Sequence, residues 1–315
     1  MAVSGIAPAA AAAAPPTPTP VIIDTDIGDD IDDAFALAVA ISDHRLEVIA
    51  VTTAFGDTRA RVLLVRRLLK AMGRPDIIVG QGRVTADPTP FTQKAWALLE
   101  PDTSPAPDAV TVIRQAIARR PGEITLVELA PMTNVADLRE ADPDAARGLR
   151  QVVLMGGSVH AGYNHPDGAP TPTPDAEYNI AQAPQAFAGL LTTGAPVVMF
   201  PLDSTQLKFD QARLDRLWAR NTPTSRALGD LFEAWRRLNA WGQTVPTLFD
   251  AVPVVWLLDP SVCRPTAMRI VVDDKGFTRP VAGPPNARVC LTLESARALS
   301  IVTEALAPDR APTPR

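Results

Sequence analysis

Residues Val21–Ala40 read VIIDTDIGDDIDDAFALAVA, and this stretch decides the fold prediction. The apolar run at 21–23 is typical of a buried strand. Apolar residues then recur at the i, i+3, i+4, i+7 spacing of one helix face, at Ala34, Leu37, Ala38 and Ile41. Between them lie six aspartates: Asp24, Asp26, Asp29, Asp30, Asp32 and Asp33. The stretch therefore predicts a strand, an acidic loop and a helix, with the carboxylates at the strand's carboxyl end, where open α/β sheets bind ligands.

Carboxylates packed this closely raise each other's pKa values unless a positive charge compensates. A helix N-terminus supplies only about half a positive charge, whereas a hard divalent cation with oxygen ligands compensates far better. Solvated carboxylates and helix caps would explain one or two of the aspartates. An EF-hand is excluded, because the fifth position of the loop is Gly28 and the twelfth is Phe35 instead of Glu. The loop predicts a site for a metal or a polar ligand.

The composition narrows the range of partners. The 315-residue chain has a net charge of −5, a sequence pI of about 5.3 and no basic run, so we expect no nucleic-acid partner. A nucleoside carries no phosphate and stays compatible with this charge. No apolar run approaches the roughly 20 residues of a membrane span, so we expect no membrane partner. Cys263 and Cys290 fit no zinc motif, and we interpret them as buried thiols, leaving a single bridge open.

The two ends of the chain differ from the rest in composition. Residues 1–20 are rich in Ala and Pro, uncharged and without the basic segment of a secretory signal. We expect a disordered tail there, one domain over 21–308 and a second disordered tail over 309–315. These features favour a cytoplasmic protein. A remnant of an export signal is the alternative for the N-terminus.

Strand-like and helix-like segments alternate through most of the chain. This pattern predicts βαβ units and an α/β fold, a single-domain open, mostly parallel sheet with a Rossmann-like core. Helices would cover both faces, and the site would lie at the carboxyl edge of the strands. Two long loops, at 80–107 and 156–175, interrupt the pattern. The first is either a lid over the site or a long connection without a role of its own.

Several further polar residues follow predicted strands. They are Glu128, Asn134, Glu177, Asn179, Asp203 and Asp250. Each taken alone is typical of a cap, a turn or a solvated position. Together they would converge on one edge of the sheet, as a functional site requires. No G-x-S-x-G, P-loop or G-x-G-x-x-G motif is present, so acyl transfer and nucleotide-phosphate binding have no sequence support.

These motifs, in this order, resemble the nucleoside hydrolases of the inosine–uridine-preferring type. The residues that carry the resemblance are DTDIG at 24–28, DDA at 32–34, TTAFGD at 52–57, ITLVELAPMTN at 124–134, VVLMGG at 152–157, EYN at 177–179, PLD at 201–203 and FDA at 249–251. The resemblance implies a calcium-dependent enzyme that hydrolyses the N-glycosidic bond of ribonucleosides to free base and ribose. It also implies a homo-oligomer, a dimer or a tetramer. It does not decide between purine and pyrimidine bases.

The resemblance also implies a role for individual residues. By matching position, Asp26, Asp33 and Asp250 would bind Ca²⁺ through their carboxylates, and Leu129 through its main-chain carbonyl. Asp26 would also be the catalytic base that acts on the calcium-bound water. The remaining substrate-binding residues would be Asp32, Asp57, Glu177 and Asn179, with Asp250 shared between metal and substrate. Carboxylates near the sugar suit this reaction, because bond cleavage builds oxocarbenium charge on the ribose.

Three departures from the family pattern bear on the site. Asp29, Asp30 and Ile31 stand where one residue usually separates the glycine from the aspartate pair, so Asp29 or Asp30 is an alternative ligand. Ala130 stands where glycine is more usual. Phe249 replaces the histidine that many members have before the C-terminal aspartate, and a second histidine expected after the third strand is missing.

The sequence therefore leaves two pairs of residues as candidates for activating the leaving base. Trp235 or Trp241 would stack on the base, although both also fit a core stripe on a helix. His160 or His165 would act as the acid from the second long loop, although both also fit exposed loop positions.

Two other functions are compatible with parts of the sequence. A non-catalytic relative would hold calcium and bind a nucleoside or another sugar without turnover, as the missing histidines allow. A phosphatase of the haloacid dehalogenase type would share the D-x-D after the first strand. It would also need a lysine at a strand end, and none of Lys70, Lys94, Lys208 and Lys275 stands there.

Overall fold

A computed structural model describes residues 17–100, 102–165, 169 and 171–309. These described residues form nine strands, which are β1 Thr19–Thr25, β2 Leu46–Thr53, β3 Ile78–Gln81, β4 Thr125–Glu128, β5 Gln151–Met155, β6 Val197–Phe200, β7 Thr266–Val272, β8 Thr278–Val281 and β9 Ala287–Val289. The first six helices are α1 Asp32–Ser42, α2 Thr58–Ala71, α3 Lys94–Ala97, α4 Ala109–Arg119, α5 Thr133–Ala141 and α6 Tyr178–Gln182. The others are α7 Pro184–Leu190, α8 Leu202–Thr205, α9 Gln211–Ala219, α10 Pro223–Leu238, α11 Ala251–Leu258 and α12 Ser295–Leu306.

The strands form one sheet in the order β3-β2-β1-β4-β5-β6-β9-β7-β8. The first seven run parallel, and β7 and β8 add an antiparallel edge. This arrangement confirms the predicted single-domain α/β fold with a mostly parallel sheet. The order changes direction beside β1, which lies between β2 and β4. The carboxyl end of β1 is therefore the kind of position at which such sheets bind ligands.

Apolar side chains alternate between the two faces of the central strands. Val21 and Ile23 pack with the helices on one face, and Ile22 packs in a second cluster on the other. Because successive residues of a strand point to opposite faces, a strand buried on both sides shows a continuous apolar run. Helices cover both faces, as predicted. No helix in the described part of the chain is long and apolar enough to cross a bilayer.

The predicted boundary at residue 21 lies inside the first strand. β1 begins at Thr19, whose N–H donates to the carbonyl of Arg45 at 2.8 Å. Residues 19 and 20 thus pair with β2 in register. The rest of the predicted N-terminal tail, residues 1–16, and residues 310–315 of the predicted C-terminal tail lie outside the described residues.

The interpretation of the two cysteines as buried thiols is wrong. Cys263 and Cys290 form a disulfide, with their Cα atoms 6.1 Å apart. The two cysteines are 27 positions apart in the sequence, and the antiparallel pairing of β7 with β9 brings them together. The bridge that the sequence left open is therefore present.

Candidate active site

Residues 24–33, here called the Asp loop, run from the end of β1 into the start of α1 and contain six aspartates. Gly28 has φ +132°, and a Cβ atom there would lie 1.9 Å from the Phe91 ring. Only glycine fits this position. The segment containing Phe91 closes over the loop, with Thr92 Oγ1 donating to the carbonyls of Gly28 and Asp29. The first long loop of the sequence therefore packs directly on the Asp loop.

Arg61 holds the Asp loop from beneath. Its side chain is only 1% exposed, and its donors bind the carboxylates of Asp29 at 2.7 Å and Asp87 at 2.9 Å. The remaining N–H groups donate to the carbonyls of Asp26, Ile27 and Phe55. A guanidinium has five N–H donors, so all of them are used in these contacts. Asp29 is thus engaged in an internal ion pair through Oδ2, although the residue also lines the cavity described below.

Asp24 supports the loop through the sheet. Its Oδ1 accepts hydrogen bonds from Thr52 Oγ1 at 2.5 Å and Asn134 Nδ2 at 2.7 Å. Glu128 is its register partner on β4 and is fully buried. Burial and then the charge of Asp24 raise the pKa of Glu128 well above its usual value. These residues fix the strand ends from which the site is built.

Three carboxylates converge above this support. Asp32, Asp33 and Asp250 are all buried, and one oxygen from each lies within 4.8 Å of the others. Thr25 Oγ1 donates to Asp33 Oδ1 at 2.5 Å, and the N–H of Asp250 donates to Asp32 Oδ2 at 3.2 Å. These donors orient the carboxylates without neutralising them. We call these three residues the acid cluster.

The electrostatics of the acid cluster are strongly unfavourable as it stands. Burial and then the neighbouring carboxylates raise the pKa values of Asp33 and Asp250 well above the usual range. Burial raises the pKa of Asp32 to about 7, against the hydrogen bond from Asp250. Arg61 has no donor left for the cluster. A bound cation would restore the charged carboxylates, and hard oxygen donors of this kind suit Ca²⁺ or Mg²⁺.

Glu177 and Asn179 form the wall next to the cluster. Glu177 caps α6, accepting from the N–H groups of Asn179 at 2.9 Å and Ile180 at 3.1 Å, and it also accepts from Gly157 at 2.8 Å. Burial raises the pKa of Glu177 to about 7, against these three hydrogen bonds. Asn179 Nδ2 donates to the carbonyl of Leu129 at 3.3 Å. The ends of β4 and β5 and the start of α6 therefore meet in one wall.

A single cavity of about 730 Å³ contains most of the predicted site residues. Its lining includes Asp26, Asp32, Asp33, Leu129, His165, Glu177, Asn179, Trp241 and Asp250. Asp26 lines the cavity but does not belong to the acid cluster, which contains Asp32 instead. Burial, with repulsion from Asp29 and against the charge of Arg61, raises the pKa of Asp26 well above its usual value.

Three of the predicted residues lie away from this cavity. Asp57 caps α2 through the N–H of Ala60 and pairs with Lys94 at 2.7 Å. Trp235 is fully buried in the core, on α10. His160 is exposed, and its backbone N–H donates to Asp203 at 2.8 Å. Of the two residue pairs considered for the leaving base, only Trp241 and His165 reach the cavity.

Two residues of the site, Tyr163 and Arg61, were not predicted from the sequence. Tyr163 lines the cavity from the second long loop, whereas Asp30, which the sequence offered as an alternative ligand, lines it beside Asp32. Arg61 was not singled out because one arginine among several on α2 shows no pattern. Its burial results from the Asp loop folding over it, which no local spacing reveals.

Comparison with known proteins identifies the family. The model of the inosine-uridine preferring nucleoside hydrolase family matches residues 21–300. The chain belongs to this family. It is accordingly an enzyme of the nucleoside hydrolase class, in which water cleaves an N-glycosidic bond.

Relatives of this nucleoside hydrolase span nearly its whole length. The pyrimidine-specific ribonucleoside hydrolase RihA of Salmonella gallinarum is 30% identical over 312 residues, covering 90% of the chain and 97% of the relative. The protein of the same name from Shewanella woodyi is 31% identical over 272 residues, covering 81% and 84%.

Solved structures agree with this assignment. The plant nucleoside hydrolase PpNRh1 superposes with a TM-score of 0.78 at 26% identity, covering 92% of the chain and 99% of that structure. A purine-preferring ribonucleoside hydrolase from Gardnerella vaginalis has a TM-score of 0.76 at 22% identity, covering 91% and 98%. The latter similarity supports the fold alone.

Proposed function

We propose that this nucleoside hydrolase is a calcium-dependent ribonucleosidase that releases free base and ribose. The observation that carries the proposal is the acid cluster. Three buried carboxylates converge in a cavity of about 730 Å³, beside the polar wall of Glu177 and Asn179. A cavity of this size encloses a small ligand of the nucleoside type. Without a cation, the same arrangement would be costly to maintain.

Calcium is proposed from the chemistry of the donors. Asp26, Asp33 and Asp250 would hold it through carboxylates, together with the carbonyl of Leu129. Asp32, the remaining member of the acid cluster, would bind ribose hydroxyls. Calcium takes about six to eight oxygen ligands, so room remains for water and substrate. When bound, the ion supplies positive charge that makes a nearby water more acidic and draws sugar hydroxyls toward the cluster.

The protein side chains would supply the remaining chemistry. Asp26 would accept the proton of the attacking water as general base. The carboxylates around the sugar would stabilise the oxocarbenium charge that develops as the bond to the base breaks. Phe249 cannot donate a proton to the leaving base. His165 and Trp241, which line the same cavity, are the candidates that remain for contacts with it.

Pyrimidine ribonucleosides are the substrates we propose first. The curated relatives that match 81% to 90% of the chain are named as pyrimidine-specific enzymes. A dimeric or tetrameric state is proposed from the family resemblance, and light scattering of the purified protein would measure it.

A nucleoside panel tests the proposal. Purified protein with calcium is incubated with uridine, cytidine and inosine, and the release of base is followed by chromatography. We expect base release from at least one pyrimidine nucleoside and its loss in Asp26→Ala. Binding of a nucleoside by calorimetry without any base release would instead select a non-catalytic relative.

A further inference from the structure

Tyr163 occupies the wall of the cavity next to Phe249. The two rings meet edge to face, with centroids 6.1 Å apart and an angle of 78°. Tyr163 is 37% exposed and lines the cavity, so its exposed surface faces the space available to a ligand. Phe249 directly precedes Asp250 in the sequence, so the Tyr163 ring contacts the neighbour of an acid-cluster residue.

The loop that carries Tyr163 is fixed in place by hydrogen bonds. The N–H of Tyr163 donates to Asp175 at 2.9 Å, and its carbonyl accepts from Thr171 Oγ1 at 2.6 Å. The next N–H, of Asn164, donates to Gln206 at 2.5 Å. Two of these contacts come from the far end of the same loop, and the third comes from Gln206, which follows α8. The position of the phenol is therefore defined before any substrate arrives.

The Tyr163 hydroxyl is left with one unused proton. Its oxygen accepts the N–H of Tyr178 at 3.0 Å. None of the hydrogen bonds among the described residues uses the proton of this hydroxyl. An ordinary tyrosine phenol has a pKa of about 10. The group therefore stays protonated at neutral pH and is available as a hydrogen-bond donor.

The location of this donor indicates which substrate atom it meets. Under the proposed function, the 2′- and 3′-hydroxyls of ribose face the metal ligands and Asp32. The sugar hydroxyl that remains is the primary one at the 5′ position. The Tyr163 hydroxyl accepts the N–H of Tyr178, the residue between Glu177 and Asn179, and so lies at the polar wall that these two residues form.

We infer that Tyr163 is a substrate-binding residue whose hydroxyl donates a hydrogen bond to the 5′-oxygen of the nucleoside. The inference rests on the proposed function. Glu177 completes the contact, because its carboxylate accepts three backbone N–H groups and a carboxylate offers about four acceptor positions. One position is left for the proton of the 5′-hydroxyl. The substrate hydroxyl would thus accept from one side chain and donate to the other.

Matched substrates and variants test this contact. We compare kcat/KM for uridine and 5′-deoxyuridine, and for inosine and 5′-deoxyinosine, in the wild type and in Tyr163→Phe. The variant keeps the ring and its contact with Phe249 and removes only the hydroxyl. Thr192→Val is the control, since it removes an exposed hydroxyl hydrogen bond, to the carbonyl of Gly189, at a residue that does not line the cavity. Thermal melting establishes that each variant is folded.

We expect the wild type to favour the 5′-hydroxylated nucleoside by about 10-fold or more, consistent with one or two hydrogen bonds. Tyr163→Phe should lower kcat/KM for that substrate about 10-fold and for the 5′-deoxy compound less than 2-fold. Thr192→Val should leave the preference between the two substrates unchanged. A purely structural role of Tyr163 would lower both rates equally.

The outcomes separate this inference from the proposed function. Equal losses on both substrates, or a wild type that does not distinguish them, would overturn the role of Tyr163 while nucleoside hydrolysis stands. The wild-type comparison gives this answer even where Tyr163→Phe fails to fold. A wild type that cleaves none of the four compounds would overturn the proposed function itself.

Discussion

The N–H of Asp250 donates to Oδ2 of Asp32 at 3.2 Å, although 218 positions separate the two residues. Asp32 is the first residue of α1, and Asp250 immediately precedes α11. Two helix N-termini therefore meet at the acid cluster. Each contributes only about half a positive charge, which is too little for three buried carboxylates. Because this positive charge is too small, we expect a bound cation at the acid cluster.

Asp250→Asn should separate the metal's contribution from that of the fold. Removing one of three repelling carboxylates should leave the melting temperature of the metal-free protein unchanged or raise it. The increase in melting temperature on adding calcium should disappear, since a ligand at about 100 times its Kd contributes about 2.7 kcal/mol. Asp215→Asn, on the exposed side of α9, is the control. A full calcium response in Asp250→Asn would remove this residue from the ligand set.

Arg61→Met should destabilise the protein by about 3–5 kcal/mol, because it leaves the buried carboxylates of Asp29 and Asp87 without their partner. Chemical denaturation measures the free energy of unfolding. Arg74→Met is the matched control, since the Arg74–Asp76 pair is exposed and should contribute about 1 kcal/mol or less. Similar losses in the two variants would contradict the role assigned to Arg61.

The two tryptophans should respond differently to the same substitution. Trp235→Ala removes a fully buried side chain and should cost about 3–5 kcal/mol of stability. Trp241 is 46% exposed and lines the cavity, so Trp241→Ala should raise KM several-fold with little change in melting temperature. Nucleoside kinetics and thermal melting on both variants make the comparison. An unchanged KM in Trp241→Ala would place this residue outside the binding site.

The disulfide should contribute to stability but not to the site. The double variant Cys263→Ala/Cys290→Ala should lose about 3 kcal/mol, from the chain-entropy effect of a bridge across 27 residues. Neither cysteine lines the cavity, so kcat/KM at 25 °C should change by less than about 2-fold. Alkylation of both thiols in the denatured, unreduced protein would show that the bridge is absent.

Local patterns predicted much of the fold. The alternation of strand-like and helix-like segments correctly predicted the βαβ order, because short strands and amphipathic helices are largely specified by their own residues. The start of β1 at Thr19 was missed, since a Thr-Pro pair has no strand signature and its pairing with β2 depends on the neighbouring strand. The short helix α3 likewise forms within a proline-rich loop that packs on the Asp loop.

The family motifs predicted which side chains would lie together, and their roles stay predictions. Asp26, Asp32, Asp33, Glu177, Asn179 and Asp250 meet in one cavity because parallel strands bring their carboxyl ends to one edge. Contacts between distant segments were not predictable. Arg61 beneath the Asp loop and Tyr163 against Phe249 depend on how long loops fold back, which residue spacing does not encode. Asp57 matches a family position in the sequence and yet caps a helix outside the cavity.

The most direct measurement is uridine hydrolysis during removal and return of calcium. The protein is treated with a chelator, dialysed, and assayed for uracil release as calcium is titrated back. We predict loss of activity on chelation and recovery on addition of calcium, with Asp33→Asn inactive at every calcium concentration. Undiminished hydrolysis by the protein after complete removal of divalent metal would contradict the central claim.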